Sequence, residues 1–183
     1  MAFDLKKLEN LPGQFIVLLV VKNEENANLN TDLLKNFVRK DGTLTIYLTV
    51  NRPCHNLMEY LKSQGIDTKN FFILDAISEE VTGPMASTER CIYIESPKDL
   101  TSLSIGIVTA FKKTEGQERF LFLDSLSTLM IYNDPNVVKK FIHFLTAKMR
   151  MFGVKGAMIT LRKESDEKLI SDFSPFVDKV IEV

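Results

Sequence analysis

Apolar residues fall in short unbroken runs, separated by stretches where they recur every third or fourth position. The runs are Gln14–Val21, Thr43–Val50, Phe71–Leu74, Cys91–Ile94, Arg119–Leu123, Gly156–Leu161 and Val177–Val183. A strand with one wet face alternates apolar and polar residues, whereas a continuous run marks a strand covered on both faces. Between the runs, Leu29, Leu33, Leu34 and Phe37 share one helical face ahead of Lys40-Asp41-Gly42, and Leu57, Tyr60 and Leu61 share another ahead of Gly65. Leu100, Leu103, Ile107 and Phe111 follow Asp99, which reads as an N-cap. Asp134-Pro135 opens a longer helix through Val138, Phe141, Ile142, Leu145 and Met149 to Gly153, with proline where its missing N–H is no loss. A short helix over 166–173 stops near Pro175, and Ala76–Arg90, carrying Gly83 and Pro84, reads as a long irregular surface or partner-binding loop.

Strand–helix alternation throughout predicts an α/β fold, a three-layer αβα sandwich around a mostly parallel sheet. The 183 residues suit one domain over 1–183, large enough to bury a core without a metal or disulfide staple. At 45% hydrophobic and 26% charged residues, the chain is neither disordered nor fibrous. The net charge of −1 divides into −2 for the first ninety residues and +1 for the rest, which argues against electrostatic capture of nucleic acid. The longest apolar run, Phe15–Val21, is far short of the roughly 20 residues a membrane-spanning helix needs. Lys22-Asn23-Glu24-Glu25 follows it without a small-residue cleavage site, so a cytoplasmic protein with no membrane partner is expected. Cys54 and Cys91 lack metal-ligand spacing and read as reduced, part-buried thiols with no partner implied.

In an open α/β sheet the ligand site lies beyond the carboxyl ends of the strands, here after Val21, Val50 and Leu123. RFLFLDSLSTLM sets Asp124 at the tip of a buried strand, followed by Ser125 and Ser127. An apolar strand ending in Asp holds Mg²⁺ in nucleotide-hydrolysing proteins; the competing reading is a carboxylate that caps the next turn.

Around this point FLFLDSLSTLMIYNDPNVVKKFIHFLTAKMRMFGVKGAMITL, with DKVIEV near the end, resembles the RecA-type ATPases and their KaiC-like branch common in archaea. LTIYLTVNRPCHNLMEYLKSQGID is similar to the second strand and helix of that branch, and LPGQFIVLLV to its first strand. The resemblance implies a RecA-like sheet, self-association or packing beside a related ATPase, and a phosphate loop G-x-x-x-x-G-K-[ST]. The loop's equivalent is Glu24-Glu25-Asn26-Ala27-Asn28-Leu29-Asn30-Thr31, where only Thr31 matches. Glu24 and Leu29 replace glycines that bring backbone N–H groups onto phosphate oxygens, and Asn30 replaces the lysine that supplies positive charge. The acidic residue that orients water after the family's second strand is also missing, since Asn51 and Arg52 stand there. The expected vestigial nucleotide site therefore comprises Glu24, Leu29, Asn30, Thr31, Asn51, Asp124 and Ser125, with no catalytic residue, metal or cofactor.

Other motifs read as structural. Cys54-His55 sits at a helix start without an orienting third group, and His143 lies on the long helix. Phe71, Phe72, Phe141, Phe144 and Phe152 follow core periodicity rather than forming base-stacking platforms. Lys139, Lys140, Lys148, Arg150, Lys155, Arg162 and Lys163 form the densest basic region and read as a solvated face. Neither G-x-S-x-G nor G-x-G-x-x-G occurs. The expectation is a non-catalytic RecA/KaiC-like regulatory or protein-interaction module, a pseudo-ATPase whose partner is a protein: itself, as a homo-oligomer, or a related ATPase. The alternatives are a non-hydrolysing nucleotide or small-molecule sensor, and a DNA-repair accessory protein resembling inactive recombinase paralogues.

Overall fold

The computed structural model describes residues 11, 13–21, 29–37, 42–161 and 167–183, without the side chains of 29, 30, 36, 37 and 167–169. The strands are β1 (Ile16–Val21), β2 (Leu44–Thr49), β3 (Phe71–Asp75), β4 (Cys91–Tyr93), β5 (Arg119–Asp124), β6 (Lys155–Leu161) and β7 (Lys179–Glu182). The helices are α1 (Leu29–Phe37), α2 (Cys54–Ser63), α3 (Ser78–Thr82), α4 (Leu100–Lys113), α5 (Leu126–Tyr132), α6 (Pro135–Phe152) and α7 (Glu167–Phe173). The seven strands form one sheet in the order β4-β3-β2-β5-β6-β1-β7, and every neighbouring pair is parallel.

The unbroken apolar runs have the cause their pattern suggests. Val17, Leu19 and Val21 of β1 belong to a core with Leu33, Leu34, Leu57 and Leu61 of α1 and α2 on one face. Ile16, Leu18 and Val20 belong to a second core with Leu103, Ile107, Val138, Ile142, Leu145 and Met149 of α4 and α6 on the other. The architecture is thus a three-layer αβα sandwich, with the sheet as the middle layer.

Local signals fix the helix ends. Asp99 Oδ1 accepts from the Ser102 amide at 2.9 Å, and Asp134 Oδ1 from the Asn136 amide at 2.8 Å. Gly153, at φ 67°, ends α6 in the left-handed region and lets the Val154 amide return to the Met149 carbonyl at 2.8 Å. Buried Arg119, at the start of β5, donates to the carbonyl oxygens of Phe111 (2.6 Å) and Phe152, where the ends of α4 and α6 gather partial negative charge. Gly156 lies where β6 meets β5 and α6: a Cβ there would sit 2.3 Å from the Leu121 carbonyl oxygen and 2.7 Å from Met149 Cε.

Two elements depart from the sequence expectation. The stretch Ala76–Arg90 is not wholly irregular, because α3 forms at its start. Buried Asp75 seeds it by accepting from the amides of Ile77 (3.0 Å) and Ser78 (2.9 Å) and from the Ser78 hydroxyl (2.6 Å). The segment after Asp124 is α5 rather than a turn, with Ser125 as its N-cap accepting from the Thr128 amide.

Candidate functional site

The β2–β5 register sets Thr49 beside Asp124, so the end of β5 faces the turn that leaves β2. Tyr47, fully enclosed two residues earlier on β2, donates its hydroxyl to Asp124 Oδ2 at 2.6 Å. Asn51 Nδ2 makes a longer contact, 3.4 Å, to Asp124 Oδ1. Asn51 Oδ1 in turn accepts from the Thr128 hydroxyl at 2.6 Å, and that hydroxyl is 3.0 Å from Ser125 Oγ. A polar chain therefore runs from the interior of β2, across the tip of β5, into the first turn of α5. Burial raises the Tyr47 phenol well above its ordinary range, and the charge and hydrogen bond of Asp124 raise it further, while Arg52 opposes them. The phenol is thus held in its protonated, donating form. The peptide between Asp124 and Ser125 is cis.

A second cluster borders the first. Thr31, buried on α1, shares a hydrogen bond with the Tyr60 hydroxyl of α2 at 3.0 Å. The Arg52 guanidinium lies 4.1 Å from the centroid of the Tyr60 ring, a cation–π contact. The Arg52 main chain is latched to Thr49, whose hydroxyl donates to the Arg52 carbonyl (2.8 Å) and accepts from its amide (3.1 Å). On the far side, Ser127 ties α5 to the end of β6 through Thr160 Oγ1 (3.0 Å) and the Leu161 amide (2.6 Å).

Of the residues singled out from sequence, Asn51, Asp124 and Ser125 come together. Thr31 is engaged by Tyr60. Glu24 lies outside the described residues, and Leu29 and Asn30 open α1 with side chains outside them. Sequence reasoning missed Tyr47, Tyr60 and Thr128; the one available signal was a phenol inside the otherwise apolar run of β2. His55 reaches Glu59 on the exposed side of α2 (3.4 Å), whereas Cys54 packs against the apolar cluster that contains Cys91. Exposed His143 lies beside Phe176, with ring centroids 5.0 Å apart. Three of the five described residues of the basic region pair with acids: Lys139 with Asp172 (2.6 Å), Arg150 with Asp178 (3.0 Å) and Lys155 with Glu118. Arg162 and Lys163 lie outside the described residues. Among the described residues no three His, Cys, Asp or Glu side chains gather as metal ligands, and no helix is long and apolar enough to cross a membrane. A cleft of about 480 Å³ opens at the amino ends of β2 and β3, between Lys69, Phe71, Arg90, Lys113 and Gln117, away from Asp124.

Two of the solved structures that share this fold illustrate the likeness. Uncharacterized protein PH0321 from Pyrococcus horikoshii, whose structure contains an unknown peptide, superposes with a TM-score of 0.68 at 14% identity, over 97% of this chain and 80% of that one. The KaiC-like protein PH0186 from Pyrococcus horikoshii OT3 superposes with a TM-score of 0.61 at 13% identity, over 93% of this chain and 70% of that one. At these identities the likeness concerns the fold, and it is the KaiC-like, RecA-like α/β sandwich. No curated protein matches the chain. The model of the family of unknown function DUF7504 matches residues 17–183, and the chain belongs to that family.

Proposed function

We propose that the protein is a non-catalytic KaiC-like module that works by meeting other proteins. The observation that carries this reading is the closure of the Asp124 carboxylate: Tyr47 occupies one oxygen and Asn51 approaches the other. A magnesium-holding carboxylate must instead face a nucleotide and its water, with a threonine hydroxyl alongside. Here that hydroxyl, on Thr31, is buried against Tyr60, and Asn51 stands where a carboxylate would activate water. These side chains do not fit an Mg·nucleotide group, and the residues at 24, 29 and 30 point the same way on their chemistry alone.

An interaction role also draws on the surface. Ile105, Ile131 and Val137 stand exposed on α4, α5 and α6, and α4 and α5 each pack against α6 on one side of the sheet. Isolated apolar residues are ordinary at a surface, but three on adjoining helices suit a contact face. The unknown peptide held by PH0321 fits the same role, carried over here as a reading only. Sedimentation velocity across a wide protein concentration range, repeated with Ile131→Asp, tests it. Assembly in the parent chain that the aspartate abolishes is expected; a chain monomeric throughout would remove self-association and leave the related-ATPase partner to carry the proposal.

A further inference from the structure

Cys54 and Cys91 are brought together by the fold. Cys54 is the first residue of α2, and its amide donates to Asp75 Oδ2 at 2.6 Å, at the carboxyl end of β3. Cys91 opens β4, which pairs with β3 in the register Ile73↔Cys91. Both thiols lie in the same apolar cluster on this face of the sheet, with Cys54 packed against the core that contains Cys91. The pair is asymmetric in access: Cys54 is part-exposed, while Cys91 is buried beneath it. It is asymmetric in acidity as well. The neighbouring Cys91 thiol lowers the Cys54 thiol from its ordinary value, against burial and the charge of Asp75, while Cys54 and burial push Cys91 up. An accessible, acidified thiol at a helix start beside a buried thiol is the arrangement in which one sulfur attacks and the other resolves.

We propose that Cys54 and Cys91 form a reversible disulfide within the chain, with Cys54 as the attacking thiol, Cys91 as the resolving thiol and a hydroperoxide as oxidant. The Cys54 thiolate takes one oxygen of the peroxide; the O–O bond breaks, and the other oxygen leaves as hydroxide or alkoxide and is protonated by solvent. Cys54 is thereby oxidised to the sulfenic acid and the peroxide reduced. The Cys91 sulfur then bonds to the Cys54 sulfur, and the sulfenic oxygen departs as water with the Cys91 proton. An external dithiol returns both residues to thiols by exchange. Both cysteines are free thiols here, and a disulfide holds its sulfurs at about 2.05 Å. Closing it therefore pulls the first turn of α2 toward β4. Asn51 and Arg52 lie just upstream of that turn, so the bond also acts on the Asp124 network.

Hydrogen peroxide in slight excess, followed by alkylation in denaturant and intact mass spectrometry, tests this on the full chain. The expected product takes no alkylating group, is lighter by two hydrogens and regains both thiols with dithiothreitol. In Cys91→Ser, Cys54 should persist as a sulfenic acid that dimedone traps; in Cys54→Ser, Cys91 should stay alkylatable. The parent chain decides the matter even if a variant fails to fold. A treated chain that still takes two alkylating groups, one that gains oxygen at Cys54 while Cys91 stays free, or a disulfide linking two chains would each overturn the proposal.

Discussion

The Tyr47 hydroxyl, enclosed within the sheet, lies 2.6 Å from Oδ2 of Asp124 at the tip of β5. The contact joins β2 to β5, and it holds the carboxylate as an acceptor within the protein's own network. A phenol donating to the carboxylate at a strand tip is a structural clasp, and its loss has a definite cost. Tyr47→Phe removes the donor and keeps the ring packed against Phe122, whose centroid is 5.2 Å away. Because Asp124 is half-buried, the expected loss is about 1–2 kcal/mol, read from urea unfolding with an unchanged m-value.

The same clasp sets a pH dependence. The folded-state pKa of Tyr47 is raised, so the folded chain holds this proton more tightly than the unfolded chain does. Its contribution is fully present below about pH 10, the unfolded value, and is lost as pH rises from there toward the folded pKa. Stability above pH 10 should therefore fall more steeply, by up to about 1.4 kcal/mol per pH unit, in the parent chain than in Tyr47→Phe. Parallel slopes in alkaline thermal melts would contradict this.

Gly156→Ala should destabilise by about 3 kcal/mol, at the upper end of overpacking costs, because the new methyl meets the Leu121 backbone and not only a movable side chain. Gly116, at φ 83° with nothing within 4 Å, is the control. Its alanine variant should lose only the roughly 1–2 kcal/mol of left-handed backbone strain. Chemical denaturation of the two variants side by side distinguishes a close approach from a conformational requirement.

Arg119→Met should cost about 2–3 kcal/mol, since the carbonyls of Phe111 and Phe152 lose a charged donor in a buried setting. Arg119→Lys should recover part of the loss, because one ammonium cannot match a forked guanidinium spanning two helix ends. Thermal unfolding of the three chains gives the order directly.

Much of the architecture was legible because its causes are local. Asp99, Pro135 and Gly153 mark helix ends by chemistry that needs no tertiary partner, and the flat apolar runs announced strands buried on both faces. Helix α5 was hidden because only Ser125 separates it from β5, with no glycine or proline to mark where the strand ends and the helix begins. Helix α3 depends on Asp75, a residue whose four-donor role exists only once β3, α2 and α3 are assembled. At the site, Asn51, Asp124 and Ser125 were visible from their position after strands. Tyr47 was masked by the apolar run around it, and Thr128 and Cys91 acquire their partners only through the β2-β5 and β2-β3-β4 neighbourhoods.

Rebuilding the loop chemistry should not restore an ATPase. With Glu24→Gly, Leu29→Gly and Asn30→Lys combined, Asn51 still leaves no carboxylate to activate water. No phosphate release above the buffer rate is expected in a coupled assay with Mg·ATP, and multiple turnovers would place a base elsewhere at the carboxyl ends of the strands.

Calorimetric titration of Mg·ATP into the reduced, unmodified chain, carried to millimolar nucleotide, addresses the central claim most directly. A carboxylate committed to Tyr47 and a threonine committed to Tyr60 predict no saturable heat. A micromolar isotherm of one nucleotide per chain, weakened in Asp124→Asn, would mean that the end of β5 still holds a magnesium–nucleotide complex.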